Sequence, residues 1–283
     1  MLGPIMSWIM KQDSSLVFIG MVFSIFMLRY IVIAGTAFLS FWVLGKRRFA
    51  HRRIQSSFPK NSDYRREFFY SALSGLIIAC MSWGVFMASK AGHMKLYFNA
   101  SDYGIPYLIG SILFFWLLHD AYFYWIHRFM HVKGVYKLVH RLHHESRNPS
   151  PWAAYAFHPI EAVLETALFP IVLVLVPMHY SAFFVFLVYI TLFNVIGHLG
   201  YEFYPRGWAR GRITKWISTA THHNMHHMLV HKNFGFYLLF WDRVMGTNHE
   251  RYEDEFDRVR NRPAPERTEK DGAKRAPGEL SPT

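Results

Sequence analysis

The sequence predicts an all-α integral membrane protein, with about four to five membrane-embedded helices and a cytosolic helical cap carrying a histidine-rich two-metal site. Three observations predict it. The 283 residues are 52% hydrophobic but only 18% charged, where a soluble domain carries about a quarter charged residues. The apolar residues gather in long runs separated by basic loops, as membrane spans do. And of 17 histidines, 15 fall between positions 119 and 249, many at helical spacing.

The elements follow in order. The first apolar run, 16–44, is long enough to cross a bilayer with tilt, although Arg29 interrupts it and must snorkel, pair or face protein. Only Lys11 precedes the run and no cleavage site follows, so it reads as a retained span rather than a signal peptide. Runs 68–88 and 106–126 are spans of ordinary length. Runs 162–176 and 182–196 are shorter and flank "PMHYS" (177–181), which fits either a shallow hairpin or two crossings. The single cysteine, Cys80, lies in an apolar run and reads as a small buried hydrophobe. It excludes disulfides, thiolate zinc sites and iron–sulfur clusters.

Loop 46–66, "KRRFAHRRIQSSFPKNSDYRR", is rich in Lys and Arg, whereas loop 90–105 has only Lys90 and Lys95. Excess positive charge marks the cytoplasmic side. Alternating the spans from there brings the histidines near 127–144, 198 and 222–227 to one cytoplasmic face, of a bacterial inner membrane or of the endoplasmic reticulum. The net charge of +12 then serves membrane electrostatics rather than nucleic acid. The chain divides into N-terminal spans with their basic loop (1–105), a catalytic domain (106–252) and a polar tail (253–283) whose composition predicts disorder.

Three histidine clusters share helical spacing. "HRFMH" places His127 and His131 at i, i+4; "HRLHH" places His140, His143 and His144 at i, i+3, i+4; "HNMHH" repeats that stripe with His223, His226 and His227. His198 stands alone at the end of the last apolar run. Each imidazole gives a metal one nitrogen, so several must converge, and nine exceed what one ion accepts. Two ions are the simplest count. Imidazole suits iron, zinc, copper and nickel alike, so ligand type does not choose among them. His51, His93, His179 and His231 have no such company and read as ordinary hydrogen-bonded residues.

The order HxxxH, HxxHH, single His, HxxHH resembles the sterol desaturase / fatty acid hydroxylase superfamily of integral membrane di-iron enzymes. "HDAYFYWIHRFMH" (119–131), "AFHPIE" (156–161), "NVIGHLGYE" (194–202) and "NFGFYLLFWDRVMGT" (233–247) are similar to its signatures. The likeness runs from about 107 to 247. It implies a di-iron site held by His127, His131, His140, His143, His144, His198, His223, His226 and His227, with zinc able to take iron's place in purified protein. It further implies O2, electrons from a separate donor (cytochrome b5 or ferredoxin-like), a lipid or sterol substrate from the bilayer, and hydroxylation or desaturation of a C–H bond. Fatty acid 2-hydroxylases carry a second histidine where this chain has Asn194, which places it nearer the sterol desaturase and C4-methyl oxidase types.

His222 is either a tenth ligand or an outer hydrogen-bond partner. Asp120, on the face of His127, is placed to bond a ligand imidazole or to pair with Arg128; His158 and Glu161 are expected in supporting roles. Asp242 reads as a turn residue. Trp116, Trp125, Tyr122, Tyr124, Phe183, Phe184 and Phe186 are expected either to line a substrate cavity or to form an aromatic belt. Two rival classes remain: a membrane zinc hydrolase, although HExxH is missing, and a non-catalytic metal-binding membrane protein, whose ligands would be strung along a path rather than clustered.

Overall fold

A computed structural model describes residues 14–264. The reading of the segment around Lys11 and that of the tail beyond 264 lie outside these residues. Among the described residues, four helices are long and apolar enough to cross a membrane: Ser15–Leu44, Asn61–Lys90, Gly104–Met130 and Tyr180–Gly197. We number the helices α1 (Ser15–Ala37, continued by a π-helical stretch Phe38–Leu44), α2 (Asn61–Lys90), α3 (Gly104–Met130), α4 (Arg141–His144), α5 (Pro159–Thr166), α6 (Leu168–Leu175), α7 (Tyr180–Gly197), α8 (Ala220–Leu229), α9 (Phe240–Val244) and α10 (Tyr252–Arg260). Their outward faces expose Leu28, Phe69, Ile109, Leu113 and Phe184, as lipid contact requires and water would not favour. Run 162–176 is divided between the short helices α5 and α6, so it lacks the length of a crossing.

Local chemistry sets the helix ends. Ser14 accepts a bond from Val17 N at the start of α1, and Asp63 reaches back to Lys60 N at the start of α2. Gly75 lets α1 and α2 approach closely, since a Cβ there would lie 2.4 Å from the Phe26 ring. Tyr30 and Ser71 both donate to Trp152 O, fastening those two spans to the cap. At the opposite end, strands β1 (Leu96–Tyr97) and β2 (Met178–His179) pair in parallel. The basic loop joins the cap: Glu202 N donates to Arg52 O, and Arg53 bridges to Tyr201.

Two expectations are corrected. Cys80 is exposed on the outer face of α2 rather than buried, because its neighbours Ala79 and Phe86 take the inward positions. The polar segment from 253 is not irregular throughout, since α10 is a helix that buries Tyr252, Phe256 and Val259. Those three recur at i, i+4 and i+7, an amphipathic stripe that the surrounding charges hide in composition.

Candidate metal centre

The cap collects the nine histidines into two groups. His127, His131, His140, His144 and His226 form one; His143, His198, His223 and His227 form the other, and within each group the ligand atoms lie within 4.8 Å of one another. The last turn of α3 carries His127 and ends at His131. A π-helical stretch, Tyr136–His140, runs into α4, and His198 closes α7. Thr219 caps α8, which carries the final three. His131 is partly exposed and the other eight are buried.

The stripes are not shared as the spacing suggests. In each HxxHH motif the i, i+4 pair enters one group and the i+3 histidine enters the other. Residues i and i+4 are about 40° apart around a helix, whereas i+3 and i+4 diverge by about 100°. Each motif therefore contributes to both groups and ties them together.

The hydrogen bonds fix the tautomers. Nδ1 of His127 lies 2.9 Å from Phe234 O, that of His226 2.7 Å from Lys232 O, and that of His198 2.7 Å from Asn194 O. Nδ1 of His143 meets Ala156 O at 3.4 Å, and that of His140 meets Glu161 Oε1 at 2.6 Å. A carbonyl or carboxylate only accepts, so each Nδ1 carries the proton and each Nε2 presents a bare lone pair. Yet His127 Nε2 and His140 Nε2 are 3.0 Å apart, and His143 Nε2 and His198 Nε2 3.3 Å. Two lone pairs cannot hydrogen-bond; they repel unless a cation lies between them.

The spacing fits such a cation. The Nε2 atoms of His198, His223 and His227 are 3.1–3.2 Å apart pairwise, hence about 1.8 Å from their common centre. That radius is close to the ordinary metal–imidazole distance of about 2.0–2.1 Å, so the three donors fit a cation. Burial also holds His140, His143, His144, His223, His226 and His227 well below the usual histidine pKa, with neighbouring imidazoles adding to the shift. They remain neutral, as metal ligands must.

Outside the two groups, Glu161 orients His140, a carboxylate–histidine arrangement typical of metal sites. Glu161→Ala should weaken metal binding about 10–100-fold. Glu161→Gln should cost less, since its amide oxygen still accepts. A chelator-competition titration reads both. His222 joins neither group: its Nε2 lies 3.6 Å from Asp242 Oδ2 and its ring packs against Tyr252. Asp120 bonds no imidazole, nor does it pair with Arg128. It accepts from Tyr237 N and Leu238 N, because the chain after the last cluster folds back against α3. His158 caps α5 through Ile160 N. Asn194 contributes its backbone carbonyl to His198 and lines a cavity.

That cavity, about 430 Å³, lies among α1, α2 and α5–α7 and reaches the cap at Phe123 and Phe157. Of the seven aromatic residues expected either to line a cavity or to form an aromatic belt, Phe183 lines this one. Tyr124 packs instead on Trp241, Phe186 on His119, and Trp125 and Phe184 face outward. His119 was not singled out from the sequence. It is fully buried among aromatic rings, and neither of its nitrogens has a hydrogen-bond partner among the described residues. Its position two turns before His127 was the available signal.

Comparison with known proteins bears on this arrangement. The fatty acid hydroxylase family matches residues 112–247. A Delta(7)-sterol 5(6)-desaturase of Gibberella zeae is 30% identical over 75% of this chain and 63% of its own length. One of Aspergillus fumigatus is 32% identical over 63% of this chain and 60% of its own. Lathosterol oxidase of Homo sapiens is 28% identical over 77% and 71%. The chain thus spans about three fifths of the first two relatives. No solved structure matches it. The family match covers α3 from Ile112 through the last histidine cluster to Thr247, and together with the sterol desaturase and lathosterol oxidase relatives it supports the sterol desaturase / fatty acid hydroxylase superfamily for this chain.

Proposed function

We propose that this protein is a membrane-bound, O2-dependent di-iron oxidoreductase that hydroxylates or desaturates a C–H bond of a lipid or sterol-like substrate. The observation that carries the reading is the cavity, which ends one ring short of both histidine groups. Phe123 packs 5.0 Å from the His127 ring and Phe157 5.3 Å from the His143 ring. A long apolar molecule entering from the bilayer would present one C–H to both. The desaturase and oxidase relatives support this chemistry.

Bound iron supplies the oxidising power for removing hydrogen from an unactivated carbon. The chain's own residues do the rest. The nine imidazoles would hold the ions, the Nδ1 bonds of His127, His140, His143, His198 and His226 lock those five rings, and the apolar wall excludes water while holding the substrate in register. Electrons reach the site from a separate donor of cytochrome b5 or ferredoxin type. The basic loop beside the cap offers it a docking face and supports a cytoplasmic location.

Protein loaded with iron under anaerobic conditions should hold one ion per histidine group, hence two per chain. Its lipid product should gain one oxygen or lose two hydrogens, and only with both O2 and reductant. Turnover by the zinc-loaded protein without O2 would replace this reading with a hydrolase.

A further inference from the structure

The cavity wall is apolar almost throughout, so its few polar groups are informative. It follows α7 from Tyr180 to Asn194, about 21 Å of helix. Asn194, Phe123 and Phe157 mark the metal end, and Phe98 and Tyr180 the far end. Glu165 lines this wall. Among the described residues its carboxyl makes no hydrogen bond or ion pair. Arg29 lines the same cavity from α1 without pairing with it. A carboxyl set unpaired in an apolar wall is costly unless something from the cavity bonds it.

Its place along the helix adds a second constraint. Glu165 follows Glu161 by four residues on α5, so the two share a face about 6 Å apart along the axis. Glu161 accepts from His140. One helix thus presents one carboxyl to the histidines and the next to the cavity.

We propose that Glu165 is a specificity-determining residue that accepts a hydrogen bond from a hydroxyl of the substrate. The substrate is then a hydroxylated lipid. It lies with its polar end toward the metal centre and its apolar body along α7, and the oxidised carbon is close to the hydroxyl rather than in the distal tail. The carboxyl oxygen accepts in either protonation state. The proposal rests on reading the cavity as the substrate site and adds the substrate's chemical class.

The test measures binding rather than turnover. The metal-loaded full chain in lipid nanodiscs is titrated with radiolabelled cholestanol against cholestane, and with hexadecanol against hexadecane. One alcohol should bind about tenfold or more tighter than its hydrocarbon; which pair shows this separates a sterol from an acyl chain. Glu165→Leu should erase the preference while leaving hydrocarbon affinity unchanged, which also reports an intact fold. Glu165→Gln, whose amide oxygen accepts, should keep most of it. The proposal is overturned by a preference that survives Glu165→Leu, by no preference in either pair, or by hexadecanoate binding tightest in an Arg29-dependent way. Preference without any turnover would instead remove the oxidoreductase reading, and with it the position of the oxidised carbon, and leave the Glu165–hydroxyl bond standing.

Discussion

Replacing His227 with alanine is expected to take turnover to background and to remove one of the two metal ions, while His51→Ala changes neither. His227 Nε2 lies 3.2 Å from the Nε2 atoms of both His198 and His223, so it belongs to the smaller, four-histidine group. Removing it leaves three donors, and an ion held by three neutral imidazoles exchanges far more readily than one held by four. His143→Ala should behave in the same way. His144→Ala and His226→Ala act on the five-histidine group, which keeps four donors. They should lose less metal but equally abolish turnover, because the proposed chemistry needs both ions. His51 sits outside both groups beside Arg52. Elemental analysis per chain, with lipid product formation, separates these outcomes. Full metal and full activity in His226→Ala would overturn the ligand assignment.

What could be read from the sequence, and what could not, follows from which forces act locally. A bilayer demands about 20 apolar residues per crossing, and that demand is written in each run by itself. The four spanning helices therefore lie where the hydropathy places them. Helical spacing likewise brings His127 beside His131 and His223 beside His227. The allocation of His143 and His226 to the opposite group was not legible. It depends on the 100° divergence within each motif and on how α4 and α8 face one another. The cavity was hidden for a related reason. Much of its wall comes from α1 and α2, including Phe18, Ile25 and Ile78, and a hydrophobic face that lines a cavity looks the same in sequence as one that meets lipid. Glu165 is not legible in the sequence, because its meaning lies in the lack of a partner among the described residues, which only the fold reveals.

The second large effect belongs to a residue outside both histidine groups. Asp242 is fully buried and accepts from Phe234 N at 2.9 Å, Gly235 N at 2.6 Å and Thr247 Oγ1 at 2.7 Å. These bonds shape the loop after α8, where Val230 and Asn233 both take positive φ, a strained choice for a β-branched valine. The loop must return this sharply, because Lys232 O and Phe234 O are the acceptors for Nδ1 of His226 and His127. Gly235 is obligatory beside it: a Cβ there would stand 2.7 Å from Asp242 Oδ2. Asp242→Ala would strand two buried N–H groups, at about 1–3 kcal/mol each, and release the carbonyls that hold two imidazoles in their tautomers. The expected result is a lower unfolding temperature together with a metal affinity about 10–100-fold weaker at the five-histidine group. The four-histidine group, whose Nδ1 bonds go to Asn194 and Ala156 instead, should bind as before. Asp242→Asn retains one acceptor oxygen and should fall between. Metal titration resolves the two sites. If Asp242→Ala melts early yet binds both ions at wild-type affinity, the loop supports the fold alone, and the orientation of His127 and His226 is set by the helices that carry them.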